Sequence, residues 1–271
     1  MFKRKIKIFR LKKGSTEEID DVVLYETPID IYVNSKQIVN IICLATDLKE
    51  LAIGFLFSIG IIESMKDVEN IDVDEFKNTI FVELKEDINF DLENLDINPV
   101  SRVVDTTCGI SSPWRNLIKE SLDKSNTKQV IKTKNKIKVK PSIIFSAIKE
   151  MQVKTPLYRE TGGCHGAAIF DIDGNLLSVK EDIGRHNAID KVIGDLLFKE
   201  LSFENVFLTT TGRLTGDSVL KVIRSKIPII ASLSAAIESG IRLAFVYGIT
   251  LIGFTRGARM NIYTHPERIL I

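Results

Sequence analysis

Histidine and cysteine are scarce in this chain, at three each among 271 residues, alongside one tryptophan and seven prolines. Three scattered cysteines cannot form a disulfide framework, so the expected compartment is the reducing cytoplasm. No run is long and apolar enough to span a membrane. The start, MFKRKIKIFRLKKG, is basic, but no apolar signal core or cleavage site follows it. A surplus of either charge is missing too. Lys+Arg is 37 and Asp+Glu is 36, which gives no reason to expect nucleic-acid binding. What remains is the balance of a globular protein, 44% hydrophobic and 27% charged, long enough for a sizeable core in one large domain or two.

The scarce residues gather in one place. Thr161 to Lys191, TGGCHGAAIFDIDGNLLSVKEDIGRHNAIDK, holds two of the three histidines and one of the three cysteines. Its polar groups (Cys164, His165, Asp182, Arg185, His186, Asn187, Asp190 and Lys191) fall at strand and helix ends, where they mark a site more often than a core. Ala167 to Phe170 and Leu176 to Val179 read as a hairpin around the turn pair Asp173-Gly174. A calcium loop is the lesser reading, because the later ligand positions hold Leu177 and Val179. After Gly184, Ala188, Ile189, Val192, Ile193, Leu196 and Leu197 recur at helical spacing. Gly184 to Asn187 therefore opens a helix, where free N–H groups favour an anion.

The pattern continues to the end of the chain. Strands are predicted at Asn205 to Leu208, Pro228 to Leu233 and Ile249 to Phe254, the last of them. Helices are predicted at Gly216 to Lys226 and Ala235 to Tyr247, the second stopped by Gly248. This alternation suggests a mostly parallel sheet with ligands at the carboxyl ends of its strands. Arg213, Arg256 and Arg259 fall just past such ends, as solvated charges or as a phosphate-binding rim.

The N-terminal half is built differently. Ile29 to Val33, Ile38 to Leu44, Val68 to Val73 and Thr79 to Leu84 read as strands. Asp47 with Glu50 resembles a capping box, and Leu48, Leu51, Ala52, Phe55, Leu56 and Ile59 form the stripe of the helix after it. Lys124 to Lys140 contains seven lysines and no acid, with Ile137 and Val139 at period two; this is a strand or linker with one wet face, or a basic rim. The expected boundary divides 1–138, an N-terminal α+β domain, from 139–271.

Cys43 lies in an apolar strand and reads as inert core. Cys108 differs, because Asp105 to Pro113, DTTCGISSP, is polar and turn-rich with no periodicity. It reads either as a reactive thiol, with Arg102 and Arg115 available to lower its pKa, or as an incidental loop cysteine. Ser111 stands where a second cysteine would make a dithiol, so a lone thiol is left to carry a group or attack one. Cys164, beside His165, is the competitor for that role.

ETPIDIYVN, TDLKELAIGFLFSIGII, TTCGI, TGGCHGAAIFD, EDIGRHNAIDKVIG, GRLTGDSVLK, IPIIASLSA and GFTRGARMNIYTHPERI, in that order, resemble the FdhD family of formate dehydrogenase accessory sulfurtransferases over nearly the whole chain. The resemblance implies an α/β fold: a cytidine-deaminase-like mixed sheet with flanking helices in the C-terminal half and a smaller α+β N-terminal domain. It implies a homodimer and a sulfurtransferase that moves sulfur, as a cysteine persulfide, from a cysteine desulfurase to the molybdenum or tungsten bis-molybdopterin guanine dinucleotide cofactor of formate dehydrogenase. GDP is expected to mimic that cargo. Cys108 matches the persulfide cysteine of the family's C-x-x-C loop, and Ser111 replaces its second cysteine. Phe254, Thr255, Arg256, Gly257, Ala258 and Arg259 match the cofactor-binding segment. Arg213 and His186 lie in family-typical segments and are expected at the same site, His186 as a ligand contact or as a buried group ordering the turn.

Two rivals stand beside this reading. A zinc deaminase would need a glutamate near a zinc-binding His or Cys and a P-C-x-x-C, and neither His186-Asn187-Ala188 nor Thr215 to Ser218 supplies them. The other rival is a chaperone that holds the cofactor without carrying sulfur, which the loss of the second loop cysteine keeps open.

Overall fold

A computed structural model describes residues 2–86, 88, 103–104 and 137–270. The chain opens with a hairpin of two ten-residue strands, β1 (Lys3–Lys12) and β2 (Ser15–Leu24). Lys13 and Gly14 take positive φ between them, which matches the twist of a tight hairpin. No strand is legible here from the residues alone, for a physical reason. Most of the hairpin faces water, with Phe9 77% and Leu11 72% exposed, and only Ile6 and Ile8 of β1 are half-buried, too short an alternation to mark a strand.

A five-stranded sheet follows, in the order β5-β6-β3-β4-β7. Its strands are β3 (Thr27–Val33), β4 (Lys36–Cys43), β5 (Val68–Asp74), β6 (Thr79–Leu84) and β7 (Val103–Val104). Ile29, Ile31 and Val33 point inward while Asp30 and Tyr32 do not, the period-two pattern legible in the sequence. Asn34 and Ser35 make the β3–β4 turn with positive φ.

Helix α1 (Leu48–Ile59) buries every residue from Leu51 onward, well beyond one stripe, because it has neighbours on two sides. The capping box expected at its start is absent. Asp47 sits at φ 51° with no side-chain cap, and its carboxylate instead takes Lys180 Nζ at 2.6 Å, with Glu50 at 3.0 Å on the same ammonium.

The C-terminal half holds a six-stranded sheet in the order β13-β12-β11-β10-β8-β9. Its strands are β8 (His165–Asp171), β9 (Leu176–Asp182), β10 (Val206–Thr210), β11 (Ile229–Ser232), β12 (Thr250–Arg256) and β13 (Arg259–Thr264). Its helices are α2 (Pro141–Lys154), α3 (Pro156–Thr161), α4 (Arg185–Phe198), α5 (Gly216–Arg224) and α6 (Glu238–Tyr247). The expected hairpin β8–β9 is present, with Gly174 at φ 92° and Asp171 Oδ1 accepting the N–H groups of Asp173 and Asn175.

Three readings are corrected. The sheet is mixed rather than mostly parallel, since β10–β11 and β11–β12 are its parallel pairs and β8, β9 and β13 run antiparallel to their neighbours. Phe254 does not close the last strand: Gly257 reverses the chain at φ 59° and β13 returns beside β12. Ala235 to Ile237 stay out of α6 because they pair with Leu214, which donates to the Ala235 carbonyl and accepts from the Ile237 N–H.

Both faces of the six-stranded sheet are covered. Ala168, Phe170, Phe207 and Ile252 pack under α2 through Ile144, Ile148 and Met151. On the other face Ala167, Ile169, Leu208 and Leu251 meet α4 and α5, and the same apolar cluster runs on through α1 into the five-stranded sheet. At the α1–α4 crossing the backbones touch. A Cβ on Gly54 would lie 1.9 Å from the Asp190 carbonyl oxygen, and one on Gly194 2.0 Å from that of Glu50. Gly54→Ala must therefore push the helices apart. A loss of about 1–3 kcal/mol or more is expected in chemical denaturation, and an unchanged midpoint would refute the close crossing.

Candidate functional site

Beyond the ends of the parallel strands, three loops are stitched side by side. Ser232 Oγ donates to the Gly212 carbonyl at 2.6 Å and Ser234 Oγ to that of Thr211 at 2.9 Å. The Phe254 N–H donates to the Ser234 carbonyl at 2.9 Å, and Arg256 Nε to that of Leu233 at 3.1 Å. The two segments singled out by resemblance, around Arg213 and from Phe254 to Arg259, thus share one edge of the sheet with a serine-rich loop between them. Phe254 is held at φ 51°, a costly conformation for a bulky residue, next to a shift in the β12–β13 register. Arg256, Gly257, Ala258 and Arg259 are exposed at the hairpin tip, and Arg213 is exposed on its own loop. Thr255 is fully buried, and its hydroxyl has no hydrogen-bond partner. Thr255, Arg256 and Gly257 line a cleft of about 270 Å³ against α2.

Next to Arg213 the edge is basic. Gly212 passes so close to Arg185 that a Cβ there would lie 2.8 Å from the arginine's own Cβ. Arg185 Nε is buried without a partner. Burial, and then the charge of Arg213, lower the Arg185 pKa, while Asp217 acts the other way. His165 Nδ1 lies 3.1 Å from Thr211 Oγ1, which also accepts the Gly166 N–H. Burial first, then Arg185, hold its pKa below the ordinary histidine range. Both effects oppose protonation, so His165 is neutral at neutral pH. The cluster of Arg185, Arg213 and His165 suits an anion. His186 lies beneath it, close enough to feel the charge of Arg185. It is 4% exposed, its Nε2 lies 3.4 Å from Thr215 Oγ1 at the start of α5, and burial above all drives its pKa well down.

The rest of the EDIGRHNAIDK run points inward. Asp182 pairs with Lys191 at 2.7 Å, both fully buried. Asp182 also accepts the N–H groups of Leu44 and Gly184 and the amide of Asn187. Asn187 donates to the Ile42 carbonyl, and Lys191 donates to that of Leu44. One turn on, Asp190 pairs with Lys221 at 2.7 Å and accepts from Ser58 Oγ. These residues bolt the end of β4 and helix α1 to α4. Sequence reasoning took Asp182, Asn187, Asp190 and Lys191 as marks of a site; no local signal says that their partners are the backbone of β4 and side chains of α1 and α5. β7 pairs with Asn40 and Ile41 of the same β4 and ends four residues before Cys108.

Cys108 lies outside the described residues, as do Arg102, Ser111 and Arg115. The other two cysteines are described, and both are buried. Burial raises the Cys43 pKa, with Asp182 adding to the effect. Cys164, the expected competitor, is 3% exposed, and burial and then Glu181 push its pKa up to about 12. A thiolate would form there only as pH nears that value, so its reactivity is suppressed. Iodoacetamide at neutral pH is expected to modify Cys108 alone in the folded protein and all three cysteines after denaturation. Peptide mapping that finds Cys164 labelled as fast as Cys108 would contradict its burial.

A model of the FdhD/NarQ family matches residues 24–270. The chain is 37% identical over 268 residues to the sulfur carrier protein FdhD of Sulfolobus acidocaldarius, covering 98% of each. It is 30% identical over 262 residues to the sulfur carrier protein FdhD of Bacillus subtilis, covering 97% of this chain and 95% of that one. A crystal structure from Desulfotalea psychrophila, assigned to a formate dehydrogenase accessory protein, is similar over 100% of both chains with a TM-score of 0.76 and 31% identity.

Proposed function

The chain belongs to the FdhD/NarQ family, and from that premise we propose that it is a sulfur carrier for formate dehydrogenase maturation. Its thiol is Cys108. A cysteine desulfurase supplies the sulfur as a persulfide. The Cys108 thiolate attacks the outer sulfur, the new S–S bond forms on Cys108, and the desulfurase thiolate leaves and takes a proton. The outer sulfur would then pass at the sulfane level to the molybdenum or tungsten bis-molybdopterin guanine dinucleotide cofactor, the substrate of the transfer; the S–S bond breaks with Cys108 leaving as a thiolate, and the reduced acceptor supplies the two electrons that take the sulfur to the sulfide level.

The observation that carries this reading is the state of the other two thiols. Cys43 and Cys164 are buried with raised pKa values, so neither is available as a nucleophile at neutral pH. The residues at the sheet edge fit the cargo's chemistry. Exposed Arg213, Arg256 and Arg259 offer planar forks for pyrophosphate.

Ser111 in place of a second loop cysteine keeps the chaperone reading alive, in which the protein holds the cofactor and carries no sulfur. One experiment separates the two. Incubation with a desulfurase and cysteine is expected to add one sulfur atom to the wild-type protein by mass spectrometry, and none to Cys108→Ser. Ser111→Ala should load normally, because a hydroxyl relays no sulfane sulfur. Loading of Cys108→Ser would move the carrier elsewhere, and no loading of the wild type would favour the chaperone.

A further inference from the structure

The N-terminal hairpin divides its charge by strand. β1, KRKIKIFRLK, has six cations and no acid, while β2, STEEIDDVVL, has four acids and no cation. The two strands form a sheet of their own, so each keeps one free edge among the described residues. Lys3, at the base of the hairpin, pairs with Glu160 of α3 at 3.0 Å. Further along β1, Lys5, Arg10 and Lys12 are exposed and in no ion pair among the described residues, and Phe9 and Leu11 stand in water beside them. A free edge is a row of unpaired N–H and C=O groups, and charge of one sign keeps it from pairing with its own kind. The chain also has an edge of the opposite sign. β5, VENIDVD, is the outer strand of the five-stranded sheet, with three acids and no cation. Its Glu69 and Asp72 are exposed, and Phe76 in the turn after it is fully exposed. The other edges do not match β1. β13 has Arg259 and no acid, and β7 is two residues long. The acids of β9 are engaged, Glu181 by the N–H groups of Leu157 and Tyr158 and Asp182 by Lys191.

We propose that the hairpin is an arm that docks on a second copy of this chain, with β1 of each copy adding to the β5 edge of the other. Strand addition gives main-chain hydrogen bonds along the seven residues of β5 and sets the β1 cations against Glu69 and Asp72. Phe9 and Leu11 give the joint an apolar share beside the charges. The same charges reject the alternatives, because like charges directly opposite are destabilising. β1 against a second β1 opposes cations to cations, and β2 against β5 opposes acids to acids. The arm therefore enters with its basic strand inward. Two reciprocal joints close the pair around a two-fold axis, where a single joint would leave an open chain. The joint is independent of the sulfur-carrier reading, since it uses neither Cys108 nor the arginines at the sheet edge.

Sedimentation velocity of the full chain over a concentration series tests the joint. Wild type is expected to form a dimer that weakens as salt rises from about 0.05 to about 0.5 M, because exposed charges make the contact. Lys5→Glu with Lys12→Glu reverses β1. These residues face Val22 and Ser15 across the hairpin, so the change creates no like-charge pair directly across it. Glu69→Lys with Asp72→Lys reverses β5, where Asp72 faces Phe81. Each variant alone is expected to raise the dimer dissociation constant by about tenfold or more. An equimolar mixture of the two is expected to recover the dimer, since the acidic arm of one meets the basic edge of the other and the second joint is native. Recovery also shows that both variants are folded. The proposal falls if wild type stays monomeric throughout the series. It falls equally if either variant dimerises within twofold of wild type, or if the mixture stays monomeric.

Discussion

Helices α1 and α4 touch backbone to backbone, and most of the molecule is arranged around that contact. Gly54 and Gly194 permit it reciprocally, each facing a carbonyl of the other helix. Such an approach leaves no room for side chains at the crossing and aligns the polar groups beside it. Asp190 then reaches Ser58 on α1 and Lys221 on α5, while Asp182 and Lys191 reach the end of β4. A buried pair of this kind adds little over an apolar pair, but losing one partner costs about 3–5 kcal/mol. Its value is in specifying a unique arrangement. The apolar cluster is continuous across the seam, so the two halves of the chain share one core.

That arrangement sorts the charged residues into two populations. Asp182, Asp190, Lys191 and Lys221 are inside, each with a partner of opposite charge. Arg213, Arg256 and Arg259 are outside, Arg213 on the loop after β10 and the other two where β12 turns into β13. Arg185 lies between, half-buried beside Arg213, and the crowding lowers its pKa. Cations held near one another at a sheet edge leave an anion as the natural occupant. Desolvation keeps His165 and His186 neutral beside them, so the positive field at this edge comes from the arginines. The thiols follow the same rule. Burial that suits Cys43 and Cys164 to packing removes them from chemistry.

Local patterns determined a good part of this protein. The alternation of Ile29, Ile31 and Val33, the Asp173-Gly174 turn and the helical spacing from Ala188 to Leu197 identify their elements, because each has one or two buried faces that dictate residue type at a fixed period. The place of Arg213 beyond a strand end was legible for the same reason, whereas Arg256 and Arg259, expected past the last strand, end β12 and open β13. Other features depend on partners distant in the chain. Asp47 and Glu50 match a capping box by spacing, yet Lys180 on β9 takes both carboxylates. Ala235 to Ile237 have helical character, yet Leu214 pairs with them as extended chain. The inward roles of Asp182, Asn187 and Lys191 exist because β4 is brought alongside. The cleft at Thr255 is lined from α2 as well as from the β12–β13 turn, and no local pattern records that meeting. Periodicity records which face of an element is buried; it carries no record of what buries it, and that only the tertiary structure decides.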